Sequence, residues 1–132
     1  MSSLLNEYLE EMKEDTALDQ FTVRDVQMKL PGIKHKWAGR LIRAKIDINK
    51  LYGDRKRLIN KLADKLVGAS PVRLSMPVAR KKVEDHEAVL EIDDKIKDCR
   101  MTQEFLEKAE KILSSMTFDI KNLTEIMKME LQ

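Results

Sequence analysis

Beyond Pro77 the chain contains neither proline nor glycine, and over that uninterrupted span apolar residues recur at helical spacing. Val89, Ile92, Ile96, Cys99, Gln103, Leu106, Ala109, Leu113 and Met116 follow gaps of three and four, with Gln103 the one polar member. That is the period of a packed helical seam, and Phe105 and Ile112 widen it. A second seam lies upstream. From Lys34 to Val67, at about 100° per residue, Trp37, Leu41, Ala44, Ile48, Leu51, Ile59, Leu62 and Leu66 fall on one stripe. Two such seams in 132 residues, with aromatics at only 5%, leave no room for a sheet. The fold expected is all-α, made of elongated helices.

Punctuation divides the chain into four segments. Residues 1–33 form an acidic helix or arm: Ser3 to about Ala17 reads as a short amphipathic helix with Leu5, Tyr8, Leu9 and Met12 on one side, and Leu30-Pro31-Gly32 is a breaker. Residues 34–67 form the long helix, which Gly68 stops. Residues 68–82, with two prolines and four cations, read as an extended connector or hinge. Residues 83–132 form a helical C-terminal region with a break expected at Ser114-Ser115, an N-cap at Thr117, and a last helix carrying Phe118, Ile120, Leu123, Ile126 and Met127. A hairpin of these helices leaves a wide apolar surface wet, which predicts self-association. The residues assigned to it are Ile92, Ile96, Leu106, Ala109, Leu113, Met116, Ile120 and Leu123.

Charge is distributed as unevenly as the breakers. The net charge is +2, yet residues 1–28 carry two basic and seven acidic side chains, residues 29–82 sixteen and three, and residues 83–132 seven and thirteen. Beside the apolar stripe of the long helix runs another, formed by Lys36, Arg40, Arg43, Asp47, Lys50, Asp54, Arg57, Lys61 and Lys65, of which seven are cationic. A local excess of this size recruits a polyanion. Arg55 stands apart, in the middle of the apolar stripe. Either its guanidinium snorkels past its neighbours or the seam opens there onto a ligand or subunit.

Other chemistries lack their parts. No glycine-rich phosphate loop is present. His35, His86 and Cys99 are far apart and lack metal-ligand spacing. The acidic run Glu84, Asp85, Glu87, Glu91, Asp93, Asp94 scatters around a helix and reads as a solvated face. Cys99 sits on the apolar seam with no histidine to activate it. No catalytic residue, metal or cofactor is therefore expected. One cysteine excludes an internal disulfide and suits a reduced cytosolic compartment. The acidic start "MSSLLNEYLEEMKED" lacks the pattern of a signal peptide, and no apolar run is long enough to span a membrane. Lipid binding is disfavoured because the apolar face has heptad-like order and a partner to pack on. With only Trp37 and Tyr52 as aromatics in the basic segment, nucleic-acid binding is expected to be phosphate-driven, sequence-tolerant and steeply salt-dependent.

At this level of detail the chain resembles the UvsY-type recombination mediator proteins of T-even-like bacteriophages. The residues that carry the resemblance are Glu11-Met12-Lys13 with Asp15, Leu18-Asp19, Leu30-Pro31, Lys36-Trp37, Lys50-Leu51-Tyr52, Asp93-Asp94, and Phe118 with Ile120-Lys121-Asn122, in this order over nearly the whole length. The resemblance implies a non-enzymatic accessory to homologous recombination and repair, in the cytoplasm of an infected bacterial cell. Such proteins form ring-like homo-oligomers, bind single-stranded DNA, and help a RecA-like recombinase replace the single-strand-binding protein. It carries the family's DNA contacts over to Arg55 and its neighbours Lys56 and Arg57, although Gly53 stands where relatives tend to have a further basic residue. With the stripe, the DNA-binding set is Lys36, Arg40, Arg43, Lys50, Arg55, Lys56, Arg57, Lys61 and Lys65. The alternatives are a helical oligomeric scaffold whose basic face binds an acidic protein, or a general nucleic-acid packaging protein.

Overall fold

A computed structural model describes residues 3–131 as four helices: α1 (Ser3–Asp15), α2 (Val23–Ala69), α3 (Met76–Val83) and α4 (Glu87–Leu131). No strand occurs among the described residues. The chain forms two compact units, residues 1–44 with 101–132, and residues 45–100, so that α2 and α4 each contribute to both.

Unit 1 is built on Trp37, which is fully buried. Around it pack Met12 from α1, Leu30, Leu41 and Ala44 from α2, and Leu106, Ala109, Leu113, Met116 and Ile120 from α4. The spacing Leu30, Trp37, Leu41, Ala44 is one face of α2, and Leu106, Ala109, Leu113, Met116, Ile120 is one face of α4, so both seams meet in a single core. Tyr8 and Phe105 set their rings edge-on to Trp37, with centroids 5.5 and 6.1 Å away. Truncating a side chain as buried as Trp37 costs about 3–5 kcal/mol.

Unit 2 has a smaller, aliphatic core of Ile59 and Ala63 from α2, Ala79 and Val83 from α3, and Val89 from α4. Ala63 and Ala79 are wholly buried, and their size permits α2 and α3 to approach closely. Leu58, Leu62, Leu66, Val67, Leu74 and Met76 complete the packing at its edge.

Three expected interruptions are corrected by the structure. Pro31 does not end a helix: α2 starts at Val23 and runs through it. Pro31 removes the hydrogen bond to the Gln27 carbonyl, a loss of about 3 kcal/mol in a helix interior. The start of α2 is strong enough to bear it. Asp19 Oδ1 accepts from the backbone N–H of Phe21 (2.7 Å) and Thr22 (2.9 Å), Thr22 Oγ1 accepts from the Asp19 N–H (3.1 Å), and Leu18 and Val23 pack against the core on either side of this reciprocal cap. Ser114-Ser115 is no break either, because α4 continues to Leu131 as one helix. Ser115 Oγ turns back to donate to the Lys111 carbonyl (2.9 Å), and Thr117 is no N-cap, its Oγ1 accepting instead from Lys34 Nζ (3.3 Å). Finally, residues 68–82 are not all extended. Pro77 falls in the first turn of α3, where no backbone N–H is needed, and Ala79 and Val83 draw that helix into the core of unit 2.

The core also accounts for much of the seam expected to join copies of the chain. Ile96, Leu106, Ala109, Leu113, Met116 and Ile120 are buried within one chain, and Ile92 and Leu123 are half-buried. The burial removes the reason for assigning the six buried ones to an interface. What α4 leaves exposed is a different set, Leu90, Met101, Ile112, Phe118, Ile126, Met129 and Leu131.

Candidate nucleic-acid interface

The cations of α2 fall into two environments. In unit 1, Lys36 and Arg40 project from the buried turn of Trp37 toward α1. Lys36 Nζ lies 2.6 Å from Asp15 Oδ2 and 3.0 Å from Glu11 Oε2. Arg40 forms a forked pair with both carboxylate oxygens of Glu11, and its guanidinium lies over the rings of Tyr8 and Trp37, 4.6 and 4.7 Å from their centroids. The indole N–H of Trp37 donates to Asp15 Oδ2 at 2.8 Å. The Arg40 hydrogen bonds hold the Glu11 carboxyl below its ordinary pKa, against the opposing pull of burial. Burial pulls the Lys36 ammonium down, but the Asp15 and Glu11 hydrogen bonds outweigh it and raise its pKa. These two cations are engaged. Arg43, one turn on, is exposed.

In unit 2, Lys50, Lys56, Arg57, Lys61 and Lys65 are all exposed. Arg57 pairs with Asp54 one turn back, and the hydrogen-only side of Gly53 accommodates it: a Cβ there would lie 3.4 Å from Arg57 Nη1. Lys50, Lys56, Lys61 and Lys65 have no carboxylate within ion-pair distance among the described residues. The position of Arg55 in the apolar stripe now has a cause. Its Nε donates to Asp93 Oδ1 of α4 at 2.6 Å, a bond that raises its pKa further. Asp93 belongs to the acidic run read as a solvated face, so part of that run is a counter-charge for α2.

Sequence reasoning missed four further features: Glu11 and Asp15 as partners of Lys36 and Arg40, the Tyr8 and Phe105 rings on Trp37, the hydrogen bond from Arg80 Nε to Asn60 Oδ1 (3.0 Å), and Arg100, which packs over the Tyr52 ring (5.3 Å to its centroid) and bonds its hydroxyl. The only available signal was the acidic spacing Glu11, Asp15 opposite the basic spacing Lys36, Arg40. No cluster able to hold a metal ion occurs among the described residues, and no helix there is long and apolar enough to cross a membrane. Cys99 is half-buried, and burial first, then Asp47 and Asp98, push its thiol pKa up, the opposite of a nucleophile's.

Comparison with known proteins agrees with this architecture. No curated protein matches the chain in sequence. Two crystal structures of the recombination mediator protein UvsY of bacteriophage T4 match its fold. One, in lattice type IV, gives a TM-score of 0.81 at 17% identity, covering 96% of this chain and 98% of the other. The second, in lattice type II, gives 0.77 at 18% identity, covering 100% and 99%. A family model described as "Recombination, repair and ssDNA binding protein UvsY" matches residues 11–131. Nearly the whole four-helix chain is thus accounted for by one family model, and the protein belongs to the UvsY family.

Proposed function

We propose that this protein is a recombination mediator: a homo-oligomer, ring-like in form, that binds single-stranded DNA without sequence preference. On that strand it promotes replacement of single-strand-binding protein by a RecA-like recombinase, in the cytoplasm of the infected bacterial host. The observation that carries the reading is the family match over residues 11–131. The unpaired lysines of unit 2 support it, because phosphate-driven binding needs cations whose charge is not already spent. In this reading Lys50, Lys56, Arg57, Lys61 and Lys65 meet the backbone of the strand and Arg55 orients them from its bond to Asp93. Lys36 and Arg40 serve the fold. Self-association uses the apolar side chains that α4 leaves exposed, Phe118, Ile126 and Met129, with Leu123 as a half-buried flank. Many modest sites on one particle then grip a flexible strand by avidity.

The test has two stages. Salt titrations with labelled oligonucleotides should show tighter binding to single strands than to duplex. The recombinase's DNA-dependent ATPase, inhibited by its single-strand-binding protein, should then recover when this protein is added. Absence of strand binding would favour a scaffold for an acidic protein, and a duplex preference would favour packaging.

A further inference from the structure

In unit 2, the burial of Ala79 and Val83 against α2 brings the outer side of α3 next to the basic surface. Arg80 thereby reaches Asn60. With Tyr52, Arg55, Lys56 and Ile59, these two residues line a concavity of about 310 Å³. No acidic side chain lines it. Lys56 has no ion-pair partner among the described residues, and Arg80 is held by a neutral amide, so its full charge remains available. Of the remaining lining, Arg55 is already paired with Asp93, and Ile59 and Tyr52 are apolar: Ile59 is buried, and the Tyr52 ring is fixed by Arg100. A flat aromatic flank beside two uncompensated cations suits a phosphate with an unpaired planar base, whereas a phosphate ridge alone needs no concavity.

We propose that this concavity holds one nucleotide of the bound single strand, its phosphate between Lys56 and Arg80 and its base against Tyr52 and Ile59. Helix α3 is then part of the DNA site, Asn60 is a positioning residue that aims Arg80, and a base held in a duplex is excluded. The inference rests on the reading of the chain as a single-strand binder.

The full-length protein and its variants should be titrated with an oligothymidylate and with an abasic strand of equal length, each over a range of salt. Arg80→Ala should bind more weakly and lower the slope of log affinity against log salt by about 0.7, one single-strand phosphate contact. Arg73→Ala, an exposed cation outside the concavity, should leave both near the parent values. Tyr52→Leu should lose about fivefold or more on oligothymidylate with the slope kept, and nothing on the abasic strand. Asn60→Ala should weaken binding at constant slope, and Asn60→Gln should restore part of it. Thermal melts matching the parent's establish that the variants fold; if Arg80→Ala melts early, Lys56→Ala supplies the same slope measurement from the surface of α2. The proposal is overturned if Arg80→Ala, or Lys56→Ala in its place, binds like the parent. It is equally overturned if Arg73→Ala loses as much, or if the parent does not distinguish the abasic strand. If Lys61→Ala/Lys65→Ala still weakens binding in those cases, the single-strand reading stands without the nucleotide site. Failure of the parent to bind either strand removes that reading itself.

Discussion

In unit 1 the cations of α2 beside the first helix, Lys36 and Arg40, are matched by Glu11 and Asp15, whereas in unit 2 Lys50, Lys56, Lys61 and Lys65 meet no carboxylate among the described residues. The overall balance follows the same division: residues 1–44 with 101–132 hold eleven Lys and Arg against thirteen Asp and Glu, and residues 45–100 hold fourteen against ten. Aromatic residues divide the other way. Five of six lie in unit 1, three of them in the cluster at Trp37, and Tyr52 alone belongs to unit 2. One helix thus uses the same residue types for opposite ends. Where aromatic faces and acids surround it, a guanidinium becomes part of the core boundary; where small aliphatic residues fill the core, the lysines remain in water. A count of cations on a stripe therefore overstates the sites open to phosphate.

The largest effect that would break this comparison is in the core of unit 1. Leu106→Asp with Leu113→Asp places two carboxylates where both side chains are essentially inaccessible. The cost is comparable to a small protein's whole stability, about 5–15 kcal/mol, so circular dichroism should show loss of helix at ambient temperature. A protein that kept its helicity and only became a smaller assembly would return these residues to an interface between copies.

The next effect separates the two kinds of cation. Arg40→Ala should lower stability by about 1–2 kcal/mol, through the lost Glu11 pair and ring contacts, while leaving the salt slope of strand binding as in the parent. Lys61→Ala with Lys65→Ala should do the reverse, lowering the slope by about 0.7 for each contact with little change in melting temperature. Equal slopes for both variants would mean that Lys36 and Arg40 leave their acids when DNA binds.

The fold class was legible because the apolar period survives any detail of packing: Trp37, Leu41 and Ala44, and Leu106 through Met116, sit on the faces their spacing assigns. What escaped was decided over distance. Pro31 and Ser114-Ser115 are locally poor in a helix, yet the burial of Leu30, Leu113 and Met116 beside them holds the helix together. Arg55 was conspicuous in the sequence, but its partner Asp93 lies 38 residues away and looked like ordinary surface. Ala79 and Val83 were too short a stretch to reveal α3, so Arg80 was left out of the candidate site.

A smaller effect tests the acid side of the clasp. Glu11 has a lowered folded pKa, so its contribution to stability is fully present above about pH 4.3, the unfolded value, and is lost as pH falls through the folded value. Acid titration followed by the fluorescence of Trp37 should therefore show a destabilisation of unit 1 that Glu11→Gln removes. An unchanged profile in that variant would assign the acid sensitivity to other carboxylates.

The smallest expected change sharpens the comparison within α2 itself. Gly39 in unit 1 has open space where a Cβ would stand, and Gly53 in unit 2 has only the mobile end of Arg57. Alanine at either position should stabilise the helix by about 0.5–1 kcal/mol in thermal melts, and a smaller gain at Gly53 would measure the cost of displacing Arg57 from Asp54.

The environment of Cys99 has a consequence for handling and for oxidative chemistry. Attack on a disulfide or on peroxide requires the thiolate, and a thiol held protonated by burial, with Asp47 and Asp98 adding to the effect, supplies little of it at neutral pH. Sulfenic acid formation and covalent cross-linking between chains are slowed for the same reason, even where the surroundings turn oxidising.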